Sequence, residues 1–84
     1  MFETYYLRPM ELSRLAVRYD FRWKEDPRVV AYSRLSLESV PPIVLGCVFI
    51  SGKYDVVDGH HRVRAFKLME RLTIPAYVPE NPVS

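Results

Sequence analysis

Val56-Val57-Asp58-Gly59-His60-His61-Arg62-Val63-Arg64-Ala65 is the stretch on which the reading of this chain turns. A β-branched pair ends a strand, a glycine lets the backbone turn sharply, and a helix begins with cationic side chains. The first N–H groups of a helix have no partner inside it and carry the positive end of its dipole. A glycine next to them lets an anion approach the backbone closely, so the pattern is a physically sensible phosphate site. Arg62 falls in the first turn and can grip phosphate bidentately. It can equally pair with Asp58 or Glu38. His60 and His61 can donate further hydrogen bonds, with a charge set by pH. Asp58 is the nearest acid. It can cap the helix, hold Mg²⁺ beside a bound phosphate, or take a proton from an attacking hydroxyl.

Upstream of this stretch, Ile43 to Ile50 is an apolar, β-branched run, Ser51-Gly52-Lys53 is a turn, and Tyr54 to Val57 is a second strand. Together they predict a hairpin. Downstream, His60 to Leu72 reads as a helix with Ala65, Phe66, Leu68, Met69 and Leu72 on its apolar face. Ile74 to Val78 reads as a short final strand.

The first half of the chain is punctuated by proline. Thr4 to Leu7 is aromatic and β-prone, which predicts a short strand. Pro9 is placed to start a helix, and Leu12, Leu15, Ala16 and Tyr19 then share one helical face. Tyr19 to Trp23 alternates aromatic and polar residues and reads as extended. Asp26-Pro27 starts a helix for a stated reason: the carboxylate can accept from the free first-turn N–H groups, and proline has no N–H to waste there. That helix is expected from Pro27 to about Ser36, and Pro41-Pro42 cannot continue it.

Composition bounds the class. The chain has 84 residues, 49 % of them apolar and 26 % charged, which predicts one small globular domain with a thin core. Twelve Lys and Arg against ten Asp and Glu give a net charge of +2, too mild to name an acidic partner by itself. A single cysteine, Cys47, excludes an internal disulfide and a multi-cysteine zinc site. No run approaches the roughly 18–20 apolar residues of a membrane span, and MFETYYLRPM lacks the pattern of a signal peptide. The expectation is a cytoplasmic protein with no membrane partner, or a small domain of something larger. So thin a core also leaves a homodimer open.

Asp58-Gly59-His60-His61-Arg62-Val63-Arg64-Ala65, with the hairpin before it and Ile74-Pro75-Ala76-Tyr77-Val78 after it, resembles the ParB/sulfiredoxin superfamily, whose ParB-like N-terminal domains carry nuclease or nucleotide-binding labels. Val40-Pro41-Pro42-Ile43-Val44-Leu45 is similar to that family's segment before the hairpin. The resemblance covers residues 35–78; residues 1–34 match loosely. The family motif Gly-x-x-Arg-x-Arg-Ala is matched at Gly59, Arg62, Arg64 and Ala65. The resemblance implies a small α+β fold, with a mixed sheet of about four strands and two or three helices. It also implies nucleotide binding at this loop, with ATP, ADP or CTP as the di- or triphosphate and Mg²⁺ as a companion. On that reading Gly59, His60, His61, Arg62 and Arg64 contact nucleotide, Asp58 handles metal or proton, and His61 assists. Phosphoryl transfer or nucleotide hydrolysis is the natural chemistry for such a site.

The departures from the family also carry information. Sulfiredoxin has a catalytic Cys where this chain has His60, and Cys47 falls in a predicted strand, where a buried, inert thiol is expected. Sulfinic-acid reduction is therefore set aside. The helix-turn-helix DNA reader of partition proteins has no counterpart here, nor has the acceptor-binding part of the related serine kinases.

Arg64, Lys67 and Arg71 follow i, i+3, i+7 and form a basic stripe. It is either a solvated face or a contact to DNA phosphates, so the alternative function is a DNA-associated module without its own catalysis. A nuclease ranks last, because Asp55 and Asp58 are three apart on a strand and point to opposite faces. Arg18-Tyr19-Asp20-Phe21-Arg22-Trp23-Lys24 has the composition of a single-strand stacking platform. Its alternation is also how a small core is filled, and packing is the reading adopted. Adjacent His60 and His61 point apart, which makes a zinc site improbable.

Overall fold

The structure, a computed structural model, describes residues 4–35 and 39–80. Its elements are β1 (Tyr5–Glu11), a 3₁₀ turn at Leu12–Arg14, β2 (Leu15–Ala16), a second 3₁₀ turn at Trp23–Glu25, α1 (Pro27–Ser33), β3 (Ile43–Val48), β4 (Tyr54–Asp58), α2 (His60–Leu68) and β5 (Thr73–Pro79). The strands form one five-stranded mixed sheet in the order β1-β5-β3-β4-β2. β1 pairs antiparallel with β5, β5 parallel with β3, β3 antiparallel with β4, and β4 parallel with β2. The fold is α+β, as the sequence predicts, with one strand more than expected.

α2 lays Val63 and Phe66 against the sheet, and α1 packs on α2, with Ala65 and Val29 both fully buried outside that sheet-side cluster. Ile43, Leu45, Val56, Ile74 and Ala76 supply the sheet side of the core. The hairpin is as predicted. Gly52 takes φ +85°, and Phe49 N–H donates to Lys53 C=O at 2.8 Å to close it. α1 also starts as predicted: Asp26 Oδ1 accepts from Arg28 N–H at 2.9 Å, with Pro27 at the first helical position. α1 ends at Ser33, whose hydroxyl donates to the Val30 carbonyl at 2.7 Å; the expected end at Ser36 lies outside the described residues.

The N-terminal third departs from expectation. Pro9 does not start a helix; it lies inside β1, directly opposite Pro75 of β5. Neither proline can donate a ladder hydrogen bond, so both fit only where the antiparallel pair exchanges none. An edge strand tolerates this, and β1 is an edge. Leu12 and Leu15 are buried as expected, but from a 3₁₀ turn and a two-residue strand. Their spacing of three fits a 3₁₀ turn as well as an α-helix.

Tyr19 to Trp23 is not a strand. It is irregular chain leading into a turn with Arg22 at φ +66°. Its aromatics do not fill the core: Phe21 is 93 % exposed and Tyr19 is exposed too. Cys47 is half-buried in β3 rather than fully buried.

α2 stops at Leu68, four residues before the expected end, and Leu72 is exposed. Glu70 adopts φ +58°, its N–H donates to Lys67 C=O at 3.0 Å, and Arg71 N–H donates to Phe66 C=O at 2.9 Å. That pair of bonds is a Schellman motif with glutamate in the place usually taken by glycine. Among the described residues no helix is long and apolar enough to cross a membrane.

Candidate phosphate-binding turn between β4 and α2

Gly59 is the hinge of the site and is required there twice over. It adopts φ +111° and ψ 24°, which L side chains rarely adopt. A Cβ at this position would run into the Ile43 side chain, 2.9 Å from its Cβ. The backbone of the turn therefore lies flat against β3. Gly59 is also the N-cap of α2, and having no side chain it cannot bond the first-turn N–H groups. The Gly59 carbonyl accepts from Val63 N–H at 3.0 Å and so begins the helical ladder. A nine-residue helix thus presents an uncapped, dipole-positive start beside a glycine.

Arg62 turns inward rather than out to solvent. Its side chain is 9 % exposed. Nη1 donates to the carbonyls of Pro41 at 2.9 Å and Pro42 at 2.8 Å, and Nη2 donates to Asp58 Oδ2 at 2.9 Å. A buried guanidinium is tolerated because each bond goes to a well-placed oxygen. Arg62 therefore straps the segment before β3 to the turn after β4. Asp58, by contrast, is 70 % exposed in its side chain and stands at the mouth of the turn.

His61 is half-buried, and its Nδ1 is fully covered without a hydrogen-bond partner. Asp26 Oδ2 lies 3.8 Å away, too far for a hydrogen bond but close enough to attract a protonated ring. Burial holds the His61 pKa below its usual value. The charges of Arg28, Arg64 and His60 add to this, and Asp26 opposes it. The imidazole is neutral at pH 7 and can accept a proton. The Asp26 carboxyl is held low first by the Arg28 N–H, then by the charges of Arg28 and His61.

These residues line a recess of about 160 Å³ made by Tyr32, Asp58, Gly59, His60, His61 and Arg62. Ligand sites that enclose a whole small molecule run to roughly 300–1,000 Å³. This recess matches a phosphate group, with the rest of a nucleotide lying over the surface. Five residues singled out in the sequence (Asp58, Gly59, His60, His61 and Arg62) meet here. Arg64 does not join them; its Nε donates to the Arg18 carbonyl at 2.8 Å. Glu38 lies outside the described residues.

Sequence reasoning missed Tyr32, Asp26 and Arg28, which α1 brings to the same place. Asp26-Pro27 marked the start of α1, but nothing in the sequence said that α1 would pack beside the start of α2. Among the described residues no three of His, Cys, Asp and Glu gather as a metal-holding group. Compared with models of known protein families and with curated proteins, the sequence matches none.

Proposed function

We propose that this chain is a small nucleotide-binding domain holding phosphate at the Gly59 turn and the first turn of α2. The observation that carries the reading is the uncapped start of α2, set beside a glycine and opening on a phosphate-sized recess. The resemblance of the same turn, through Gly59, Arg62, Arg64 and Ala65, to the ParB/sulfiredoxin motif points the same way. First-turn N–H groups and His60 bind the phosphate. Arg62 has five N–H donors and spends three on Pro41, Pro42 and Asp58, so it fixes the turn and keeps donors for a phosphate oxygen.

Mg²⁺ fits this donor set. It characteristically takes one or two carboxylates and completes its shell with water and substrate phosphates. Asp58, exposed at the mouth, is that carboxylate. The ion would neutralise charge on the phosphates. The neutral His61 ring suits a proton acceptor, so phosphoryl transfer or nucleotide hydrolysis is the chemistry open to the site.

The test is thermal unfolding with ATP, ADP, CTP or GTP, each with Mg²⁺. A ligand at about 100 times its Kd adds roughly 2.7 kcal/mol, which is several degrees for a domain of this size. The expected result is a rise with at least one nucleotide, lost in His60→Ala while the unliganded Tm is unchanged. No rise with any of the four overturns the reading and leaves the DNA-associated module as the better one.

A further inference from the structure

The far end of α2 carries a different kind of surface. A cleft of about 520 Å³ is lined by Lys53, Lys67 and Arg71, with Tyr19 beside them and Glu11 as its acid. A second recess of about 350 Å³ shares Lys67, Arg71 and Leu72 with the first and continues to Trp23 and Lys24, with Glu70 as its acid. The shared residues make the two recesses one track. Among the described residues no carboxylate pairs with Lys24, Lys53, Lys67 or Arg71.

Aromatic rings border the same track. Tyr19 and Trp23 meet edge to face, with centroids 5.0 Å apart. Lys67 Nζ lies 5.9 Å from the Tyr19 centroid, and Lys24 Nζ lies 5.6 Å from that of Trp23. Phe21, two residues from each ring, is 93 % exposed, so packing does not account for an aromatic there.

We infer that this track binds single-stranded nucleic acid, with the phosphate backbone along Lys24, Lys67 and Arg71 and bases stacked on Phe21, Tyr19 and Trp23. Cations with no carboxylate partner, the exposed rings of Phe21 and Tyr19 and the half-buried ring of Trp23 beside them together select this occupant. A duplex offers phosphates but keeps its base faces inside the stack, so the rings would have nothing to meet. An acidic peptide offers carboxylates but no row of planar faces. The surface is separate from the phosphate recess and does not depend on it.

Trp23 is the only tryptophan, so its fluorescence reports on the track directly. A short oligothymidylate is titrated at low salt, alongside the same sequence as duplex and a polyglutamate of similar length. The single strand should quench Trp23 and bind most tightly. Three backbone cations give a slope of about −2 for log K against log salt. A double Lys67→Ala, Arg71→Ala variant should flatten that slope to about −0.7. Phe21→Ala should weaken binding by about 5-fold or more with its Tm unchanged, as expected for one lost base stack. His60→Ala should bind the oligonucleotide like the wild type, which separates this surface from the nucleotide site. Absence of quenching and binding, equal affinity for duplex or polyglutamate, or an unaffected Phe21→Ala each overturn the inference.

Discussion

Arg62 Nη1 donates to the Pro42 carbonyl at 2.8 Å, bridging twenty residues of chain. The contact joins the entry to β3 with the turn that leaves β4, so the shape of the phosphate recess depends on a side chain that is itself buried. A hydrogen bond to a charged group contributes roughly 1.5–3 kcal/mol. Arg62→Ala should lower stability by about 3 kcal/mol or more in urea denaturation, because two carbonyls lose their donor. Arg62→Lys should recover only part of this, since an ammonium lacks the fork that reaches both sides. Asp58→Asn should cost clearly less than Arg62→Ala, because Asp58 is exposed and the new amide oxygen still accepts from Arg62, so only the charge of a half-buried pair is lost. Arg62→Ala as stable as wild type would show that the strap is ornamental.

Gly59→Ala should damage the fold more than any exposed substitution. The new methyl meets Ile43, and φ +111° disfavours any L side chain. Overpacking costs about 1–3 kcal/mol and the left-handed backbone about 1–2 kcal/mol more. A folded Gly59→Ala protein with wild-type Tm would mean the turn has an alternative course. Ile43→Val should recover none of the loss in the double variant, because valine keeps the Cβ and γ-methyl that the new methyl meets.

Glu70→Gly should stabilise the protein. Glu70 sits at φ +58° at the end of α2, where a side chain costs roughly 1–2 kcal/mol that glycine avoids, less the flexibility glycine adds to the unfolded chain. A net gain of about 0.5–1 kcal/mol should raise Tm by a few degrees. Glu70→Ala, which keeps the strain, should not.

Protonation of His61 should work against the fold and in favour of anion binding. Its folded pKa lies below its usual value, so the unfolded chain binds more protons in that window. Stability is complete above the ordinary value of about 6.5 and declines as pH falls through it toward the depressed folded value. Tm should therefore drop on acidification below pH 6.5, and His61→Gln should flatten that drop. A phosphate held next to the ring favours the charged form, so nucleotide affinity should rise as pH falls through the same range. An affinity that is flat with pH in the wild type would remove His61 from the phosphate shell.

The second half of the molecule was legible because each element had its own local cause. β-branched runs flank Ser51-Gly52-Lys53, and a glycine separates β4 from α2. The first half was not, because its signals are shared by different structures. A proline lacks an N–H whether it begins a helix or lies in an edge strand, and only the sheet order shows that Pro9 is at an edge. Leu12 and Leu15 face the core from a 3₁₀ turn and a strand, so the apolar spacing identified the buried residues without the element. The end of α2 was missed because glutamate occupies a position where glycine would have announced it. At the site, the run from Asp58 to Arg62 was readable as one turn. The inward course of the Arg62 side chain and the arrival of Asp26, Arg28 and Tyr32 depend on how α1 docks, which no local pattern encodes.

β1 and β5 pair along seven residues, from Tyr5 opposite Pro79 to Glu11 opposite Thr73. The partner of each residue in β1 is therefore more than sixty positions away in the chain. Such long loops must close before these contacts form, and folds dominated by them assemble slowly. During synthesis β1 leaves the ribosome long before its neighbour exists, with Tyr5, Tyr6 and Leu7 uncovered. The hairpin and α2, built from close neighbours in sequence, can form first and give β5 a parallel edge on β3. Of all the strand pairings in the sheet, that of β1 spans the most chain and so carries the largest loop-closure cost.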